Sequence, residues 1–147
     1  MTCHVVLTLS RKWGINIFKA TTTVSEGAAG INGTSACLVA GDTLSIWDLL
    51  FGLMLPSGND SALVLAEHFG SLLLNRENRP HLPNSEETVQ RFLDEMNIEA
   101  KKHQLTSTYF DSPHGLSNIK NKSTAYDIGR LSCICMKHEH FRKVVGT

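Results

Sequence analysis

The sequence predicts a mainly helical α+β fold, and three of its features predict it. Apolar residues recur at three- and four-residue intervals in Ile46, Leu49, Leu50 and Leu53, and again in Val89, Phe92, Leu93, Met96 and Ala100, tracing one face of an α-helix each time. Residues 21–42 are rich in Thr, Ser, Gly and Ala, with turn signals in Glu26-Gly27-Ala28-Ala29-Gly30 and Asn32-Gly33, so they read as short extended pieces joined by turns. A hydrophobic content of 41% supplies a core suited to one domain of ordinary size or to a piece of a larger one.

Taken in order, residues 1–12 form an apolar amphipathic helix ending in Arg11-Lys12, cations that suit a helix C-terminus, with Gly14 just beyond. The stretch is apolar from its first residues, with no basic segment or small-residue cleavage site, and reads as a helix already under way rather than a signal peptide. An N-cap among Asp42, Thr43 and Ser45 opens the helix of Ile46–Leu53, and Pro56 ends it. Asp60 suits the first turn of the next helix, whose Leu63, Val64, Leu65 and Ala66 leave it apolar on most faces and so central, with an extension into Ser71–Leu74. A polar connection holding Pro80 and Pro83 leads to Ser85-Glu86-Glu87, which caps the helix carrying the Val89–Ala100 stripe. After a loop over residues 106–122, Ser123 caps a last helix with Ile128, Leu131, Ile134 and Cys135 turned inward.

Several function classes are excluded early. Fourteen basic and fourteen acidic side chains cancel, and no basic cluster interleaves with aromatics, so nucleic acid is not indicated as a partner. The longest apolar run, near Trp47–Leu55, is far short of the roughly 20 residues a bilayer span needs, so no membrane anchor is visible. Cys3, Cys37, Cys133 and Cys135 lack paired zinc spacing and do not resemble a small disulfide scaffold.

The most informative stretch is Leu55-Pro56-Ser57-Gly58-Asn59-Asp60. A hydroxyl and a carboxamide two residues apart, wedged between two apolar helices, are poorly placed for solvation, and an unpaired buried polar group costs roughly 1–3 kcal/mol. Ser57 and Asn59 are therefore the candidate site residues. The triplet alone is also a common turn composition, but its surroundings add weight. Trp47 through Ala62, with Ala66-Glu67-His68, resembles the middle motif of the D-alanyl-D-alanine carboxypeptidases, low-molecular-weight penicillin-binding proteins related to the serine β-lactamases. Gly41-Asp42-Thr43-Leu44-Ser45 before it, and Phe92-Leu93-Asp94-Glu95-Met96-Asn97, Ser112-Pro113-His114-Gly115-Leu116, Ser123-Thr124-Ala125-Tyr126-Asp127 and Phe141-Arg142-Lys143-Val144-Val145 after it, recur in the family's order. The resemblance covers essentially the whole chain.

It implies a penicillin-binding protein/β-lactamase-like fold of which this chain holds chiefly the helical lobe: residues 1–42 as the end of the catalytic helix with short strands and loops, residues 43–147 as the lobe carrying S-x-N. It also implies a serine peptidase acting through an acyl-enzyme on peptidoglycan D-Ala-D-Ala peptides, with β-lactams as alternative ligands and a place outside the cell or in its envelope. In that scheme Ser57 relays a proton toward the leaving amine and Asn59 holds the substrate backbone and the catalytic Lys. Two of the family's three motifs are missing. S-x-x-K would fall just before Met1 and K-T-G beyond Thr147, and no K-T-G occurs. The one S-x-x-K string, Ser117-Asn118-Ile119-Lys120, sits in a loop and is a chance match, so no nucleophile is assigned. Alternatively, the chain is an inactive homologue that binds a cell-wall peptide or a protein partner without turnover. No cofactor is implied. Cys133, Cys135, His138 and His140 could form a soft metal site by residue type, but the resemblance implies a plain amphipathic helix and loop there with two of these positions facing the core, and no metal is assigned. His114, beside Pro113 and Gly115, reads as a loop anchor.

Overall fold

The computed structural model describes residues 1–77, 84–116 and 118–147. Pro80, Pro83 and Ser117 lie outside them. The elements run α1 (Thr2–Trp13), β1 (Thr21–Thr23), α2 (Glu26–Ala29), β2 (Thr43–Ser45), α3 (Ile46–Met54), α4 (Asn59–Arg76), α5 (Ser85–Lys102), α6 (Ala125–Cys135) and α7 (Glu139–Val145). β1 and β2 pair antiparallel, with Thr21 opposite Ser45 and Thr23 opposite Thr43. The mainly helical α+β architecture expected from the sequence is present.

α4 is the central helix, as its all-round apolar composition requires. Val64, Leu65, Ala66 and Phe69 are buried along it, and α1, α3 and α5 pack around it. Val5 and Val6 of α1, Ile46, Leu49 and Leu50 of α3, and Phe92 and Met96 of α5 complete this core. A smaller cluster of Ala100, Leu105, Leu131 and Cys135 fixes α6 against the end of α5. The approach of α4 to α5 depends on one residue: a Cβ on Gly70 would lie 1.8 Å from the Thr88 carbonyl oxygen, so only glycine fits there. α1 ends at Gly14, whose φ of 66° is the left-handed C-cap anticipated from the sequence.

Of the three anticipated caps for α3, Ser45 is the one used, accepting the Asp48 amide, while Thr43 lies in β2. Two other helix starts differ from expectation by a residue, each because a capping side chain stands beside the anticipated one. Asn84 caps α5, and Glu87 closes a capping box with it. Thr124 rather than Ser123 caps α6. Residues 21–42 hold a one-turn helix, α2, where only turns were expected; Ser25 accepts the Ala28 amide and so provides its start. α6 is not the last helix, since α7 follows. Within α6, Leu131 and Cys135 point inward but Ile128 is 46% exposed, because the helix contacts the core only through its C-terminal half.

Candidate active site

Pro56 ends α3 and leaves two residues before α4 must begin. The chain makes that reversal with Ser57 at φ 57°, a left-handed conformation that costs a non-glycine residue about 1–2 kcal/mol. The turn is held from both sides. The Gly58 amide donates to the Gly52 carbonyl at 3.0 Å, and the Thr34 hydroxyl donates to the Ser57 carbonyl at 2.5 Å. Ser57 is exposed, and its Oγ makes no hydrogen bond among the described residues. A strained, solvent-facing hydroxyl in a braced turn matches what functional sites tend to retain.

Asn59 is the first residue of α4 and is only 4% exposed. Its backbone amide donates to the Thr34 carbonyl and its Nδ2 to the Asn32 carbonyl, both at 2.8 Å. The Asn32 carbonyl can only accept, which fixes the orientation of the carboxamide. Its nitrogen therefore faces the 31–38 loop, and Oδ1, the acceptor, is the atom without an internal partner among the described residues. Gly33, at φ 101°, allows this contact: a Cβ there would lie 2.3 Å from Nδ2.

Beneath the triplet is a group whose importance the sequence did not reveal. Asp60, expected simply in a first helical turn, is 1% exposed and collects the whole 35–38 segment. Its carboxylate accepts from the Ser35 hydroxyl at 2.6 Å, the Ala36 amide at 3.0 Å, the Leu38 amide at 3.2 Å and the Ser61 amide at 2.8 Å. Burial pushes its pKa up, but the Ala36, Leu38 and Ser61 amides and the Ser35 hydroxyl outweigh burial and hold it below the ordinary carboxylate value. The middle residue of the triplet is constrained as well. A Cβ on Gly58 would come within 2.6 Å of both Asp60 Oδ1 and the Gly52 carbonyl, so the turn can close over the carboxylate only with glycine there.

The loop over residues 106–122 is fastened separately. Asn97 brackets Phe110, donating to its carbonyl at 2.8 Å and accepting its amide at 2.9 Å. The Thr2 hydroxyl donates to the Pro113 carbonyl, tying this loop to the front of α1. His114 Nδ1 accepts the Leu116 amide at 3.1 Å, the local anchoring expected for it. A cavity of about 240 Å³ opens where the front of α1 (Met1, Thr2 and Cys3) faces Leu53 and Met54 at the end of α3.

The Cys133, Cys135, His138 and His140 set does not converge. Cys133 is exposed and Cys135 packs in the small core cluster. His140 stacks edge-on against Phe18 and Trp47. His138 turns the other way, to His4, with its Nε2 2.9 Å from His4 Nδ1.

A mainly helical α+β assembly in which a serine–glycine–asparagine turn opens the central helix is the architecture of the penicillin-binding proteins and serine β-lactamases. The comparisons agree with it. The crystal structure of the Streptomyces K15 DD-transpeptidase superposes with a TM-score of 0.80 at 29% identity, over 97% of this chain and 52% of that one. The D-alanyl-D-alanine carboxypeptidase DacD from Francisella tularensis gives 0.76 at 26% identity, over 97% and 31%. Among curated sequences, the D-alanyl-D-alanine carboxypeptidase of Streptomyces sp. strain K15 is 36% identical over 114 residues, which is 78% of this chain and 36% of the relative. DacF of Bacillus subtilis is 31% identical over 123 residues, 84% and 28%. The family described as D-alanyl-D-alanine carboxypeptidase matches residues 82–147. The chain is homologous to the D-alanyl-D-alanine carboxypeptidases, and it spans about a third of the length of the curated relatives it matches (36% and 28%). Among the described residues, no helix is long and apolar enough to cross a membrane.

Proposed function

We propose that this chain carries the proton-relay and substrate-holding part of a serine-type D-Ala-D-Ala carboxypeptidase site, with Ser57 and Asn59 in those roles. The observation that supports it most is the division of labour at the turn: Asp60 braces the backbone, leaving the Ser57 hydroxyl and the Asn59 Oδ1 without internal partners among the described residues. In the acylation step of such an enzyme, a serine alkoxide attacks the carbonyl between the terminal D-alanines, and the leaving amine must receive a proton. A hydroxyl can pass one on, because it donates and accepts at the same atom. Asn59 Oδ1, an acceptor, suits an N–H donor: a backbone amide of the peptide or an ammonium group. This narrows the role expected from the sequence, since the donor half of the carboxamide is already committed to Asn32.

These 147 residues form one partial peptidase domain, residues 1–42 and 43–147 dividing it as the sequence suggested. They contain neither K-T-G nor a helix-borne S-x-x-K, so the chain taken alone does not hydrolyse peptide. Its ligands are peptidoglycan D-Ala-D-Ala peptides or β-lactams, and its place is extracellular or in the cell envelope. The same absence of the outer motifs favours a second reading, a non-hydrolytic homologue that binds a cell-wall peptide. Calorimetric titration with an acyl-D-Ala-D-Ala peptide tests what both readings share. Saturable binding weakened at least tenfold by Ser57→Ala and Asn59→Ala is expected, and binding equal in wild type and both variants, or none, overturns it.

A further inference from the structure

From the convergence of His4, Glu99 and His103 on one point we propose that the chain binds a single zinc ion between α1 and the end of α5. His4 Nε2 lies 3.1 Å from His103 Nε2, and Glu99 Oε2 lies 3.4 Å from the first and 3.5 Å from the second. Zinc bound at about 2.05 Å by tetrahedral ligands separates any two of them by about 3.3 Å. The three measured edges average close to that value. The point equidistant from the three atoms in their own plane is about 1.9 Å from each, so an ion about 0.7 Å above the plane meets all three at about 2.05 Å. That height is what a tetrahedral centre with its fourth position left for water requires. These residues form a group of ligating side chains whose atoms all lie within 4.8 Å of one another.

The groups around the triangle orient it as the partners of a metal site do. Glu99 Oε1 receives the Lys102 ammonium at 2.6 Å, which leaves Oε2 to face the two imidazoles. His4 Nδ1 contacts His138 Nε2 at 2.9 Å, so an Nδ1–H donated to His138 leaves the Nε2 lone pair of His4 for the ion. Without an ion, two imidazole nitrogens and a carboxylate oxygen meet at distances too long for good hydrogen bonds to the carboxylate. His4 is 3% exposed, which holds its imidazole in place beside His103 and Glu99. Glu99 and His103 are one turn apart on α5, a spacing that puts both on one face, and His103, its side chain 31% exposed, gives the ion a route from solvent. The ion would pin α1, the front of which lines a cavity with Leu53 and Met54, to α5.

The test is titration of the full chain, tag removed and thiols kept reduced, with Co²⁺ followed by its visible absorption and with Zn²⁺ in competition with a chromogenic chelator. One equivalent of Co²⁺ with tetrahedral absorption is expected. His103→Ala and Glu99→Gln, both checked for folding by circular dichroism, should each weaken Zn²⁺ at least tenfold, and His138→Gln should weaken it about tenfold as a positioning residue. A Cys37→Ser/Cys133→Ser variant should bind as wild type does. Absence of stoichiometric binding overturns the proposal, as does binding unchanged in both ligand variants or lost in the cysteine variant. None of these outcomes depends on the peptidase reading.

Discussion

Replacing Asp60 by alanine should unfasten the candidate site, and the structure sets the size of the effect. The carboxylate receives the Ala36, Leu38 and Ser61 amides and the Ser35 hydroxyl. Each buried donor left without an acceptor costs about 1–3 kcal/mol. Water can reach the Ser35 hydroxyl once the side chain is shortened, because Ser35 is exposed, so two to three amides bear the loss. The expected destabilisation is about 3–5 kcal/mol. Asp60→Asn keeps one acceptor but turns an NH₂ group toward amides that also donate, so it should fall between, at about 2–3 kcal/mol. Equilibrium urea unfolding at pH 7, followed by far-UV circular dichroism, measures both. An Asp60→Ala midpoint equivalent to less than about 0.5 kcal/mol of change would refute the idea that this carboxylate organises the turn.

Three further outcomes follow from the same geometry. Ser57→Gly should raise stability by about 1 kcal/mol by relieving the left-handed strain at φ 57°, while weakening peptide binding through loss of the hydroxyl; a stability loss in urea would show the turn to be unstrained. Gly70→Ala should lower the thermal midpoint by roughly 6–12 °C, from about 3 kcal/mol of helix separation where its Cβ meets the Thr88 carbonyl at 1.8 Å; an unchanged melt would mean α4 and α5 do not pack so closely. Asp60 titrates below its ordinary value of 3.8, so the stability it provides is complete above that pH and is lost as pH falls through the lower, folded-state value. Stability measured from about pH 5 downward should therefore fall more steeply in the wild type than in Asp60→Asn, and parallel curves would remove Asp60 as the cause.

What could be read from the sequence was what neighbouring residues decide. The α5 stripe, the Gly14 cap, the break at Pro56 and the central place of α4 all follow from periodicity and local backbone preference, and all are found. α2 escaped because a single turn carries no period to detect. Ile128 was placed inward because helical spacing assumes the same neighbours along the whole of α6, whereas only its second half meets the core. The residues that brace the Ser57–Asn59 turn were not legible. Ser35, Ala36 and Leu38 reach Asp60 across 22 to 25 residues, and nothing local to Asp60 announces them. The histidine cluster was hidden for the same reason, its members being 99 and 134 residues from His4. Cys133, Cys135, His138 and His140 are neighbours in sequence only and do not converge. The one usable signal was Glu99 and His103 at i and i+4, which gains meaning only when α1 delivers His4 to the same face.

The proposal that this chain presents a relay and a clamp but no nucleophile can be checked by incubating the chain with a fluorescent penicillin and mapping any adduct by mass spectrometry. No covalent label is expected on the 147 residues, and a stable acyl adduct on any of their serines, Ser57 included, would overturn it.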